Sequence, residues 1–243
     1  MKAIVIIPAR YASTRLPGKP LLKKTGKFLI QHVYERSCLA RLPEKVIIAT
    51  DDTRIFKASK SFKADVVMTS STHRTGSDRI AEVARDIDAD IVVNVQGDLP
   101  EIAPGHIDAI IQGLFDKPSF VMAAPRTKFK DIKQIVNSNV IKTVVDCNNR
   151  AIYFSRGVIP FSRKSGGLGK SLFYWKHIGI YAYRKDFLLK FVSLPQKVLE
   201  QIEMLEQLRA IEYGYPILSV EVDGYCEGID SPEQYAEFVE RYE

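Results

Sequence analysis

The sequence predicts an α/β fold: a parallel sheet covered by helices on both faces, followed by a mixed, partly antiparallel lobe from the second half. Three observations predict it. Short apolar runs alternate with stretches of helical spacing from residue 3 to residue 124. Near Pro125 the rhythm changes, and strand-like runs then follow one another across turn residues. The first apolar run also ends in a cationic, turn-rich loop, where an open α/β sheet binds its ligand.

In chain order, Ala3 to Ile7 is the first strand and Phe28 to Leu39 the first helix. Lys45 to Ala49 is a strand ending at Thr50-Asp51-Asp52, Ile55 to Phe62 a helix and Asp65 to Met68 a strand. Ser77 to Ile87 is a helix, and Asp90 to Val95 a strand ending at Gln96-Gly97-Asp98. The helix Ile107 to Phe115 leads to the strand Phe120 to Ala124. Asn139 to Val145 and Arg150 to Phe154 form a hairpin across Asp146-Cys147-Asn148-Asn149. The glycine-rich stretch Lys164 to Lys170 is expected to be disordered. Lys176 to Tyr183 reads as one strand, and Leu194-Pro195 as the opening of one long helix ending at Gly214. Ile217 to Val222 is the last strand, and Ser231-Pro232-Glu233 starts a terminal helix. The expected organisation is a single domain over 1–243: an α/β part at 1–124, the mixed lobe at about 125–215, and a return to the main sheet at 216–243.

A chain of 243 residues, 46% hydrophobic and 26% charged, has room for a sizeable core and the balance of a globular protein. Its net charge of +6 suits anionic ligands, but the basic residues are dispersed and build no nucleic-acid face. Cys38, Cys147 and Cys226 are far apart and match no metal spacing. They read as reduced thiols of a cytoplasmic protein, with Cys38 packed on the first helix. The first strand begins at Ala3, so no signal peptide is expected, and no apolar run approaches the roughly 20 residues of a membrane span.

The first loop places Arg10, Arg15 and Lys19 within ten residues, among Pro17, Gly18 and Pro20. Arginine offers phosphate a planar donor fork and lysine a compact charge, so a polyanion fits; a solvated basic loop is the plainer alternative. Neither a P-loop nor a dinucleotide glycine signature is present. Asp98, between Gly97 and Leu99 at a strand end, suits a magnesium ligand, or a turn cap. Asp230 suits the same role, or support for the following helix. In His73-Arg74-Thr75-Gly76-Ser77-Asp78-Arg79, hydroxyls and amides could read a base edge, while Ser77 or Asp78 could equally be an N-cap. On one long helix Glu206 would lie about 40° from Ile202 and about 20° from Leu199, beside the apolar face, with Arg209 as a possible structural partner. Spacing leaves both Glu206 and the lone His177 open between site and core.

Together these pieces resemble the 3-deoxy-manno-octulosonate (Kdo) cytidylyltransferase family over nearly the whole chain. The resemblance is carried by Ile7 to Pro20, Ala49-Thr50-Asp51-Asp52, Thr75 to Arg79, Asn94 to Asp98 and Tyr153-Phe154-Ser155-Arg156. Lys176 to Tyr181, Glu203 to Arg209 and Gly228 to Glu233 complete it. It implies a Rossmann-like nucleotidyltransferase sheet of the glycosyltransferase-A type, acting as a cytoplasmic homodimer in lipopolysaccharide synthesis. By resemblance, Arg10, Arg15 and Lys19 meet the CTP triphosphate, with Lys19, Arg15 and Asp98 catalytic, and Thr75, Gly76, Ser77 and Arg79 line the cytidine. Asp98 and Asp230 hold Mg2+, and Gln96, Arg156, Arg163, His177, Tyr181, Glu206 and Gln207 surround the sugar acid. The family usually reads Gln-Gly-Asp-Glu-Pro where this chain has Leu99, which removes a carboxylate beside the presumed metal ligand. Ile229, Ser231 and Ser77 are milder departures. The implied reaction is CTP + Kdo giving CMP-Kdo and diphosphate. A second reading keeps the chemistry but takes the 8-amino-3,8-dideoxy analogue of Kdo or a sialic acid. A non-catalytic nucleotide-sugar sensor would have no use for two carboxylates at a metal site.

Overall fold

In the computed structural model, which describes residues 1–12, 15–169, 173–225 and 227–242, the sheet starts at the first apolar run. Strand β1 (Ala3–Ala9) is buried at six of its seven positions. Consecutive strand residues point to opposite faces, so this run is covered on both. Helix α1 (Leu29–Ser37) follows the cationic loop, then β2 (Lys45–Thr50), α2 (Thr53–Ser61) and β3 (Val66–Met68). Next come α3 (Gly76–Arg85), β4 (Ile91–Asn94) and α4 (Pro104–Asp116). The strands pair in parallel in the order β3-β2-β1-β4, with Ile6 opposite both Ile47 and Asn94. Helices α1 and α3 pack on β1 and β2.

By its contacts the chain divides into two compact units, Met1–Asp108 with Cys226–Glu243, and Ala109–Tyr225. The second unit contains β5 (Met122–Lys128), a short α5 (Ile132–Val136), β6 (Lys142–Val145) and β7 (Ala151–Ser155). It continues with β8 (Trp175–His177), β9 (Tyr181–Arg184), α6 (Lys185–Phe191), α7 (Val198–Glu203), α8 (Leu208–Glu212) and β10 (Ile217–Glu221). Strand β5 carries β10 in parallel on one edge and β8 and β9 antiparallel along the other; β6 and β7 follow β8. A bridge between Arg150 and Leu218 returns the β7 side to β10. Helix α9 (Pro232–Glu240) belongs to the first unit, where Ser231 and Gln234 form its capping box. The α/β class, the parallel first sheet and the mixed second half are those the sequence predicts.

Several local expectations change. The expected long helix is two short ones, because Met204 takes a left-handed backbone at φ 53° and ψ 46°. Val198 and Ile202 are exposed, so the apolar face inferred from spacing is not the buried one. The expected strand from Lys176 to Tyr183 is divided around Gly179, its halves pairing with opposite ends of β5. The stretch expected to be disordered holds a 3₁₀ turn, Arg163–Ser165, and paired hydrogen bonds between Ser162 and Gly167, with Gly166 at φ 69° making the turn; Lys170 lies outside the described residues. The hairpin turn stands as expected, Asp146 Oδ1 accepting the amides of Asn148 and Arg150 at 2.8 Å each. Cys38 is exposed at the end of α1, one residue beyond its last buried position, Ser37; Cys226 lies outside the described residues.

Candidate active site

The site grows from strand ends of the first unit. β1 ends at Ala9 and β4 at Asn94, two parallel neighbours, so the loops after them leave the same sheet edge. Gly97 lets them converge: a Cβ there would stand 3.0 Å from the Pro8 carbonyl. The loop after β1 is pinned by Leu16, which is buried with Leu29, Ile229, Tyr235, Phe238 and Val239. The Tyr235 hydroxyl also accepts the Lys24 amide at 2.8 Å. A core built partly from α9 thus holds the cationic loop beside the turn preceding α9. That turn is tied to the strand end by the Ile229 amide donating to the Asp98 carbonyl at 2.9 Å. Gln234 Oε1 accepts the Asp230 amide at 2.8 Å, which fixes the Asp230 backbone.

The result is a charge cluster that no local spacing in the sequence displays. Lys19 Nζ donates to Asp98 Oδ2 at 2.8 Å and to Asp230 Oδ1 at 3.0 Å. Arg15 pairs with Asp230 Oδ2 at 3.1 Å. The two carboxylates therefore converge on one point, where a cation already sits. They line a cavity of about 630 Å³ with Arg10, Arg15, Lys19 and Gln96. Among the described residues no group of three or more His, Cys, Asp or Glu could hold a metal. Two hard carboxylates beside a polycationic loop nevertheless fit magnesium, which takes one or two carboxylates and fills its shell with phosphate oxygens and water. Leu99, the departure beside Asp98, is buried, and no carboxylate side chain occupies that position. Ser13 and Thr14 of the loop lie outside the described residues.

A smaller cavity of about 140 Å³ is lined by Arg10, His73, Arg74, Thr75, Gly76, Arg79 and Gln96. Here the N-cap of α3 is Thr75, not Ser77 or Asp78: its hydroxyl accepts the Asp78 amide, and Asp78 closes the capping box. Ser77 is buried. Arg79, also buried, is committed to Asp51 at 3.0 Å and to the Thr69 hydroxyl, and so joins the ends of β2 and β3. Glu82 orders the approach to α3 by accepting the Ser70 amide at 3.0 Å and pairing with His73. Burial pushes the Glu82 carboxyl up, but His73 and the Ser70 amide outweigh it and leave it below the usual range. Asp51 enters the sequence reading only as part of a strand-end motif and Glu82 not at all, because pairing with Arg79, Ser70 and His73 is set by the fold and not by spacing.

In the second unit His177 Nε2 and the Tyr181 hydroxyl are 2.8 Å apart. Burial pushes the His177 imidazole down to about 3, against a weaker opposing pull from the Pro125 carbonyl. Burial raises the Tyr181 phenol, and the nearby Glu206 charge raises it further. His177, Tyr181 and Glu206 thus form one group. Gln207 is buried with its Nε2 lacking a partner among the described residues. Arg209 does pair with Glu206, at 3.6 Å, but its short bonds go to Glu200, at 2.6 and 2.7 Å. Arg156 stands apart from His177 and Tyr181 in its bonds: its Nε donates to the Glu203 carbonyl at 2.7 Å and its backbone amide to the Glu203 carboxylate at 2.8 Å. Arg163 is exposed in its 3₁₀ turn. Glu203 opens a stretch that carries the resemblance, but the sequence alone assigns it no role, because an acidic residue on a helix gives no sign of a remote partner.

Parallel strands ending in a polycationic loop and two convergent carboxylates define a nucleotidyltransferase. A family model described as cytidylyltransferase matches residues 4–221. A 3-deoxy-manno-octulosonate cytidylyltransferase of Solibacter usitatus (strain Ellin6076) is 47% identical over 96% of this chain and 91% of its own. One of Geobacter sulfurreducens is 45% identical over 99% of both chains. A solved CMP:2-keto-3-deoxy-manno-octonic acid synthetase complexed with CTP superposes with a TM-score of 0.93 at 40% identity, covering 99% of this chain and 98% of that one. A cytidylyltransferase of Leptospira borgpetersenii, at 19% identity and a TM-score of 0.65 over 98% of this chain and 85% of that one, shares the fold. The chain belongs to the 3-deoxy-manno-octulosonate cytidylyltransferase family.

Proposed function

We propose that this protein transfers CMP from CTP to Kdo, releasing diphosphate and giving CMP-Kdo for lipopolysaccharide synthesis. The observation that carries the reading is the meeting of Lys19, Arg15, Asp98 and Asp230 at one sheet edge. Arg10, Arg15 and Lys19 bind the triphosphate and offset its charge as diphosphate departs. Thr75, Gly76, Ser77 and Arg79 shape the cytidine side, with Arg79 acting from within the scaffold through Asp51. Asp98 and Asp230 hold Mg2+, which supplies charge neutralisation at the phosphates. Gln96, Arg156, Arg163, His177, Tyr181, Glu206 and Gln207 recognise the sugar acid. Neutral His177 fixes Tyr181 by hydrogen bond and is no proton store at neutral pH.

The anomeric hydroxyl of Kdo attacks the α-phosphorus in line. A P–O bond forms to the sugar, the bond to diphosphate breaks, and the hydroxyl proton passes to water. No protein nucleophile takes part, so the rate comes from positioning and electrostatics. Both units act as one functional domain, in a cytoplasmic homodimer. Among the described residues no helix is long and apolar enough to cross a membrane. The relatives' shared name favours Kdo over its 8-amino analogue or a sialic acid.

A diphosphate-release assay with CTP, Mg2+ and a panel of sugar acids tests this, with mass spectrometry of the product. Release with Kdo, in excess over the 8-amino analogue and sialic acid, is expected. No release with any sugar acid would overturn the proposal. Light scattering of the eluted protein reads the dimer.

A further inference from the structure

We infer that Arg54, at the start of α2, is a positioning residue for the cationic loop, holding Tyr11 against Gly18. The Arg54 guanidinium lies over the Tyr11 ring, 3.3 Å from its centroid. Tyr11 in turn touches Gly18: a Cβ on Gly18 would stand 3.1 Å from the Tyr11 hydroxyl and 3.2 Å from Cε2 and Cζ. Gly18 sits at φ 66°, a conformation open to glycine, and its amide donates to the Tyr11 carbonyl at 3.4 Å. Tyr11 and Gly18 are the two ends of the loop that presents Arg15 between them, with Arg10 and Lys19 immediately outside. Their contact closes that loop.

Arg54 is itself built to hold this pose. Its donor edge is spent on Asp52, with Nε to Oδ1 at 3.0 Å and Nη2 to Oδ2 at 2.6 Å, which leaves its flat face for the ring. Asp52 is the N-cap of α2, accepting the amides of Arg54 and Ile55, so the clamp is anchored to a helix end and a buried strand. Arg54 lines neither cavity, so it acts through Tyr11 and not by touching a ligand. Its consequence is pre-organisation: a loop already closed loses less freedom when it takes up a polyanion. For the binding effect the inference rests on the proposed role of the loop in holding the CTP triphosphate. The closure itself does not.

Two measurements on the full chain separate these. The first is tryptic cleavage after Arg15 in the ligand-free protein, followed by mass spectrometry. The second is calorimetric binding of CTP, with kcat at saturating CTP. Arg54→Met and Tyr11→Ala should each speed the cleavage and weaken CTP binding about twofold to fivefold, the range of an exposed cation–π contact. kcat should stay within about twofold, because a pre-organising contact acts on binding. Tyr11→Phe, which keeps the ring, should behave as wild type. Arg54 is exposed and Asp52 still caps α2 without its side chain, so Arg54→Met retains the fold. Unchanged cleavage in both variants would overturn the inference, as would a fallen kcat with CTP affinity intact. Failure of the wild-type protein to bind CTP would remove the proposed function, while the cleavage rates would still decide the clamp.

Discussion

Replacing Lys19 by Met removes the cation that, among the described residues, Asp98 and Asp230 share, while keeping most of the side-chain volume. Lys19 donates to Asp98 at 2.8 Å and to Asp230 at 3.0 Å, with its own side chain 13% exposed. Hydrogen bonds to charged groups contribute about 1.5–3 kcal/mol each, net of exchange with water. Asp98 and Asp230, at 28% and 40% exposed, recover much of that from water, so the net loss should be about 1–3 kcal/mol. For a chain of this length that is a fall in Tm of about 2–12 °C. Turnover should fall about 10²–10³-fold, the cost of deleting one electrostatic contact to the transition state. Metal binding should move the other way. A unit positive charge about 4 Å from a dication costs about 2 kcal/mol even with the screening of bulk water. Nucleotide-free Lys19→Met should therefore bind Mn2+ at least about tenfold more tightly than wild type, read by electron paramagnetic resonance. Unchanged or weaker Mn2+ binding in a folded Lys19→Met protein would refute the shared-carboxylate geometry as a metal site.

Three further outcomes follow from the same structure. His177, with its imidazole lowered to about 3 by burial, stays neutral in the folded protein while the unfolded chain takes up a proton below about 6.5. Stability should then fall as pH drops from about 6.5 towards 3, by up to about 1.4 kcal/mol per unit from this group, and chemical denaturation of His177→Gln should show a shallower slope. Glu200 and Arg209 form a buried bidentate pair, so Glu200→Ala should cost about 3 kcal/mol in urea unfolding, the low end for breaking a buried pair because Glu206 still faces Arg209 at 3.6 Å. Met204 is exposed at φ 53°, so Met204→Gly should stabilise by up to about 1 kcal/mol, whereas a continuous helix there would lose about that much.

The sequence by itself determined the α/β class, the strands of the first unit and the chemistry of the loop. β1, β2 and β4 are legible because consecutive apolar residues mean burial on both faces, a property of the run itself. Arg10, Arg15 and Lys19 are legible as a cationic set because they fall in one short loop, and Ser231-Pro232 as a helix start because capping is local. Only the tertiary structure decided the rest. Lys19 meets Asp98 and Asp230 because a core shared by Leu16, Ile229 and Phe238 draws the loop, the end of β4 and the turn before α9 together. Arg79 is spent on Asp51 and Thr69, Arg209 chiefly on Glu200, and Arg54 lies over Tyr11, each pairing made across a fold or a break in the chain. The helix expected from Leu194 to Gly214 failed for the same reason: its apolar spacing assumed an unbroken turn at Met204, while burial of the Glu200–Arg209 pair favours a reversed one. Periodicity reports which residues one segment can bury. Which charges face each other depends on how separate segments close on one core, and that free energy is not written in any one of them.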